Sequence, residues 1–138
     1  MPSSSGRRVS RENLGAWILK CNPKVTDVAG LIDSGVTSWC VQKSYRTELF
    51  EAGQPILLWV SGSAGGVWAA GHVTGPGELR SKYVVPVSLE FLAEPIAREV
   101  VRAHPALAEL EVLRQPQMSN PSFATRTQYA ALRELQAG

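Results

Sequence analysis

Residues 55–61 and 66–74 are two apolar, strand-forming runs joined by Gly62-Ser63-Ala64-Gly65-Gly66. Glycine reaches the positive-φ conformations that a tight connection between antiparallel strands requires. The stretch therefore predicts a hairpin and commits the chain to a β framework. Successive side chains on a strand point to opposite faces, so Leu57, Trp59 and Ser61 share one face and Leu58 and Val60 the other. No lysine and no helix follow the glycines, which excludes a phosphate-binding loop.

Around this pair the pattern adds further strands and short helices. Residues 16–21 read as a buried strand stopped at Asn22-Pro23, and residues 83–91 as a third alternating strand. Val25, Val28, Ala29, Leu31 and Ile32 recur at one-face helical spacing over residues 25–34, ended by Gly35. Residues 39–43 are too short to assign, and residues 45–52 suit a short helix closed by Gly53. The spacing predicts a helix over 95–103 with Pro95 in its first turn. His104-Pro105 then interrupts, and 106–113 forms either a short helix or a turn. Residues 114–123 read as an irregular polar loop, after which Thr125 can cap a helix over 126–136 with Tyr129, Leu132 and Leu135 on one face. Together these elements suggest a small, mainly antiparallel barrel with helices packed around it.

A chain of 138 residues with 44% hydrophobic and 19% charged residues can bury a core of its own, which excludes a disordered chain. One domain is expected over 15–138. It is preceded at 1–14 by a flexible basic leader carrying Arg7, Arg8 and Arg11, which can attract phosphate by charge alone. The leader has no apolar stretch of a signal peptide and no run reaches membrane-span length, so the expected location is cytoplasmic. Cys21 and Cys40 lack metal-ligand spacing and are expected as reduced thiols, with a Cys21–Cys40 bridge left open. Neither His72 nor His104 has a nucleophile or carboxylate at motif spacing, and Asp27 and Asp33 form no acidic cluster. Hence no catalytic triad, metal or cofactor is expected.

Trp17, Trp39, Trp59 and Trp68 each stand near small or hydrogen-bonding residues rather than inside a uniformly apolar stretch. Such a set can grip a flat ring while polar groups read its edge, which points toward a nucleobase.

The segments Trp17-Ile18-Leu19-Lys20-Cys21-Asn22-Pro23, Trp39-Cys40-Val41-Gln42 with Tyr45, Leu58-Trp59-Val60-Ser61-Gly62 and Gly66-Val67-Trp68-Ala69-Ala70-Gly71 resemble the EVE domain in order and spacing. The likeness also takes in Leu113-Arg114-Gln115-Pro116-Gln117 and the closing helix, and covers about residues 16–135. The EVE domain belongs to the PUA-like group with the YTH and ASCH modules. The resemblance implies an α+β, PUA-like, mainly antiparallel β-barrel with surrounding short helices. It also implies recognition of a modified nucleobase, and partnership with DNA restriction machinery whose cleavage is supplied by another protein.

Within that reading Trp39 is the expected stacking wall, with Trp59 and Trp68 either shaping the pocket or packing the barrel core, and Trp17 favouring the core. Lys20, Asn22, Gln42, Ser61 and Gln115, with the backbone at Cys21, Val41 and Gly62, supply edge-reading donors and acceptors. Asn22 is equally suited to holding its own turn before Pro23. Val41, Leu19 or Trp39 can form the niche for a methyl group. Lys43, Tyr45 and Arg46 combine two cations, a hydroxyl and a ring, a mixture suited to a sugar-phosphate backbone. The reading that follows is a non-catalytic module that binds a modified base, a modified cytosine in DNA first. A plain RNA-binding module is second. Third is an ASCH-like nucleoside amidohydrolase using Lys20 or Lys43 with Thr47 and Glu48.

Overall fold

The computed structural model of the chain describes residues 8–137. Strand β1 (Leu14–Cys21) is almost wholly buried because it has strands on both sides. Those neighbours are β3 (Pro55–Val60), which runs parallel to it, and β7 (Ser122–Thr125), which runs antiparallel. The expected hairpin joins β3 to β4 (Gly66–Val73), and its loop has positive φ at Gly62 (99°) and Gly66 (148°). β4 pairs with the long β6 (Tyr83–Ala97), which also carries β2 (Ser38–Cys40) and the two-residue β5 (Glu78–Leu79). The order β2-β6-β4-β3-β1-β7 is a curled half-barrel, antiparallel except at β1–β3. Around it lie α1 (Val28–Ser34), α2 (Arg98–Ala103), α3 (Glu111–Arg114) and α4 (Arg126–Ala137), with 3-10 turns at Tyr45–Leu49 and Pro105–Leu107. This is the α+β, PUA-like architecture that the resemblance implied. Among the described residues no helix is long and apolar enough to cross a membrane.

The curled sheet separates two cores. Trp17, Leu19, Ile56, Leu58 and Val60 fill the inside of the curl, where Trp17 meets Phe50 edge-on (ring centroids 4.9 Å apart) and donates Nε1–H to Gln54 Oε1 at 2.8 Å. Ile18, Leu57 and Trp59 face outward and are covered by Val101, Leu107, Leu110 and Leu132. The alternation along β1 and β3 is the strand period of two, with both faces apolar because both are covered. Thr125 caps α4 as expected: its hydroxyl accepts the Gln128 N–H at 3.3 Å while Gln128 Oε1 accepts the Thr125 N–H at 2.8 Å.

The structure departs from the sequence expectation in several places. Residues 38–40, at the edge of the segment left unassigned, form β2 against β6, and 122–125 form β7 against β1, taking in the end of the irregular loop expected over 114–123. The helix expected over 95–103 starts at Arg98, because Ile96 and Ala97 pair with Val67 and Gly66 of β4. Residues 92–95 bulge between the pairs Ala69↔Phe91 and Val67↔Ile96, and Pro95 sits in that bulge, where a missing N–H costs least. Of the expected leader, residues 1–7, with Arg7, lie outside the described residues. In the rest, Arg8, Arg11 and Glu12 are exposed, but Val9 is buried, its N–H donates to the Tyr45 hydroxyl at 2.9 Å, and Leu14 already belongs to β1.

Gly71 sits where β4 and β6 cross closely, and a Cβ there would overlap the Ser88 carbonyl. Gly71→Ala is expected to cost about 1–3 kcal/mol through forced separation of the two strands. Chemical denaturation checks this, and a midpoint equal to that of the parent chain would contradict it.

Candidate functional site

The site is built where β1 runs out. The register Ala16↔Ala124, Trp17↔Phe123, Ile18↔Ser122 next brings residue 120 opposite Lys20. There the Asn120 side chain stands in for a strand backbone. Its Oδ1 accepts the Lys20 N–H at 2.7 Å and its Nδ2 donates to the Lys20 carbonyl at 3.1 Å. The Asn120 carbonyl is left to accept the Gln42 N–H at 2.8 Å. One residue thus ties the end of β1 to the segment that leaves β2, and a cleft opens on either side of it.

The first cleft, of about 450 Å³, is walled by Lys20, Cys21 and Asn22 from the end of β1, by Val25 and Thr26 from the following turn, and by Ser38, Trp39 and Cys40 from β2. Trp39 is half-buried, packing against the inner core while still bordering the cleft. Asn22 holds the turn, its Oδ1 accepting the Lys24 N–H at 3.0 Å, while its Nδ2 has no partner among the described residues. The Lys20 ammonium donates to the Pro116 carbonyl at 3.1 Å. Burial pulls its pKa down, Glu111 opposes that and Arg46 adds to it, leaving it below the ordinary lysine value. Both cysteines are free and both border this cleft. Burial raises the Cys21 thiol pKa despite a hydrogen bond with Thr26, which keeps it protonated and a poor nucleophile.

The second cleft, of about 400 Å³, is bordered by Arg8, Gln42, Ser44, Tyr45, Met118 and Ser119, with Arg46 and Pro121 behind them. Arg46 is not an open cation. Its guanidinium grips Glu111 with both arms at 2.8 Å, donates to the Pro121 carbonyl at 3.0 Å, and lies 5.2 Å from the Phe123 ring centroid. Ser122 Oγ completes the set, donating to Glu111 Oε1 at 2.7 Å. Burial alone would raise the Glu111 pKa. The hydrogen bonds from Arg46 and Ser122 and the nearby charge more than reverse this and hold it below the ordinary 4.5.

Lys20, Cys21, Asn22 and Trp39, singled out in the sequence, thus converge on the first cleft, and Gln42, Tyr45 and Arg46 on the second. The others stand elsewhere. Trp17 and Trp59 are core residues on opposite faces of the sheet, so Trp59 cannot wall a pocket with Trp39. Trp68 packs on the inner core and donates Nε1–H to the Ala64 carbonyl at 3.2 Å. Ser61 donates both N–H and Oγ–H to the Cys21 carbonyl, at 2.9 and 3.3 Å, and Gly62 turns the hairpin beside Pro23. Val41 packs on the inner core, its N–H donating to the Tyr83 carbonyl at 3.0 Å. Lys43 points to the Tyr83 ring, 5.7 Å from its centroid, and Gln115 caps α3 through its N–H. None of these eight borders either cleft. Arg46, expected at phosphate, is a structural ion-pair residue. Sequence reasoning missed Asn120, whose one visible signal is its place before Pro121, and it missed Arg8 as a fixed element of the second cleft.

This geometry is carried on the fold of the EVE, or DUF55, domain. The DUF55 domain of human thymocyte nuclear protein 1 aligns with a TM-score of 0.69 at 11% identity, over 88% of this chain and 98% of its own. The same human protein, in complex with 5-methylcytosine-containing DNA, aligns at 0.70 and 11% identity, over 89% and 98%. A hypothetical protein from Leishmania major aligns at 0.73 and 14% identity, over 93% and 98%. The sequence itself matches no protein-family model and no curated protein.

Glu111→Gln would leave the buried Arg46 charge uncompensated, with an expected loss of about 3–5 kcal/mol at neutral pH. The folded carboxylate has the lower pKa, so the pair stabilises fully above the ordinary 4.5 and ceases to do so as pH falls through the folded value. The gap between the parent chain and Glu111→Gln should therefore narrow below pH 4.5 in urea titrations. A gap constant into acid would refute the assignment.

Proposed function

We propose that this chain is a non-catalytic nucleic-acid-binding module that takes one modified base, a modified cytosine in DNA, into the first cleft. The observation that carries the reading is the convergence of Trp39 with the end of β1 around a cleft of about 450 Å³. Its size is that of a small-molecule site, and its lining includes the aromatic Trp39 and the amide-bearing Asn22. A base leaving a duplex forfeits a few kcal/mol of stacking and pairing. A ring such as that of Trp39 returns about 1–3 kcal/mol by stacking. The Asn22 Nδ2 serves as a donor toward an acceptor on the base edge. The 5-methylcytosine DNA bound to thymocyte nuclear protein 1 supports the choice of ligand class.

A binding role is also favoured by what surrounds the lysines. The Thr47 hydroxyl that an amidohydrolase would need is buried and donates to the Ser44 carbonyl at 2.7 Å, and Glu48 is exposed. Cleavage that follows recognition would come from a separate nuclease or restriction-type effector, in the cytoplasm.

The test is fluorescence anisotropy with matched DNA and RNA strands carrying cytosine, 5-methylcytosine, 5-hydroxymethylcytosine or N6-methyladenine. One modified-cytosine DNA should bind selectively and quench tryptophan fluorescence. Trp39→Ala should weaken that binding about 10- to 100-fold, the equivalent of one stacked base, with an unchanged circular dichroism spectrum. Equal binding of all strands, or an indifferent Trp39→Ala, would defeat the reading. Preference for RNA would replace it with the RNA-binding one.

A further inference from the structure

The second cleft has a chemistry of its own that base recognition leaves unused. Arg8 is exposed yet held: its guanidinium carbon lies 4.1 Å from the Tyr45 ring centroid, and its carbonyl accepts the Asn13 Nδ2–H at 2.9 Å. The next residue, Val9, is buried and donates its N–H to the Tyr45 hydroxyl. Planar stacking on an aromatic ring suits guanidinium and leaves its N–H edge facing outward. Among the described residues Arg8 has no carboxylate partner, and no Asp or Glu borders the cleft. Arg46 behind it is neutralised by Glu111, so Arg8 sets the sign of the charge there. Three hydroxyls and an amide are at hand. The Tyr45 and Ser44 oxygens already accept backbone N–H groups, which frees their protons to be donated, and Ser119 and Gln42 stand on the same rim. One fixed cation among donors, with no carboxylate, is a receptor for an oxyanion.

Asn120 borders both clefts, so the Trp39 side and the Arg8 side adjoin across one residue. We propose that the second cleft holds the phosphodiester adjacent to the recognised base, with Arg8 as its cation. The minimal ligand is then a nucleotide within a strand rather than a free nucleoside. This position rests on the base occupying the Trp39 cleft, whereas the anion chemistry stands on the Arg8 cleft alone.

The experiment compares the full chain with Arg8→Ala by calorimetry and anisotropy. The probes are 5-methyldeoxycytidine, its 3′- and 5′-monophosphates, a single strand containing 5-methylcytosine, and the same strand with an abasic residue in its place. One monophosphate should bind the parent chain about tenfold or more tightly than the nucleoside. Arg8→Ala should erase that gain, weaken both strands and lower the salt slope by about one phosphate contact, while nucleoside affinity stays within about twofold. If phosphate adds nothing and Arg8→Ala leaves both strands unaffected, the subsite is overturned and the base cleft stands. If the nucleoside fails to bind while Arg8→Ala still weakens the abasic strand, base reading fails and the anion site stands. Should Arg8→Ala weaken the strands but not either monophosphate, Arg8 acts as a general surface charge and the subsite is again overturned.

Discussion

The Arg46–Glu111 pair organises this molecule more than any single apolar contact does. The two side chains are only 7% and 12% exposed, so each charge must find its compensation inside the protein. Glu111 opens α3, Arg46 belongs to the Tyr45–Leu49 turn, and the pair binds Ser122 and the Pro121 carbonyl between them. The turn at Arg46 and, 65 residues on, the stretch from Glu111 to Ser122 are therefore fixed by one requirement, that a buried guanidinium be saturated. The planar fork of arginine meets that requirement with two parallel bonds, and no lysine could. Hydrophobic burial makes the sheet stable, but the ion pair decides where the turn, the short helix and β7 meet.

From that meeting point the site follows. With residues 121 and 122 held by Arg46 and Glu111, Asn120 is delivered to the end of β1, where its amide makes two bonds to the Lys20 backbone. Burying an unpaired peptide group costs more than an ordinary hydrogen bond contributes. The Asn120 amide therefore closes the sheet as well as dividing the clefts. The same arrangement leaves the donor edge of Arg8 and the ring of Trp39 on opposite sides of a single residue.

How much of this was legible in the sequence depends on the range of the interactions concerned. The hairpin, the first strand and the capped final helix were readable because glycine loops, strand alternation and a Thr-x-x-Gln cap are local signals. Strand β7 was not: Ser122 to Thr125 has too few residues to show a period, and it is a strand only because β1 offers it an edge. Trp39 and the end of β1, named together in the sequence reading, border one cleft. Trp59 lies in the outer core, because period two says which residues share a face and not which face is inside. Arg46 looked like a phosphate ligand because its partner lies 65 residues away. Asn120 binds across 100 residues, a separation at which sequence spacing carries no information.

The charge pattern bears on how a small chemical difference can be recognised. A net charge of +2 is mild, and Arg11, Arg80, Arg98, Arg102 and Arg114 each lie near a glutamate. Such exposed pairs add little stability, but they cancel the long-range field that would draw in any strand. A methyl group in an apolar niche is worth only about 1–3 kcal/mol. On a strongly basic surface the sequence-independent phosphate attraction would exceed that difference, and modified and unmodified strands would bind nearly alike. With a net charge of only +2 and six arginines held against glutamates, the proposed reader keeps non-specific attraction low. A preference of methyl size can then govern which strand stays bound.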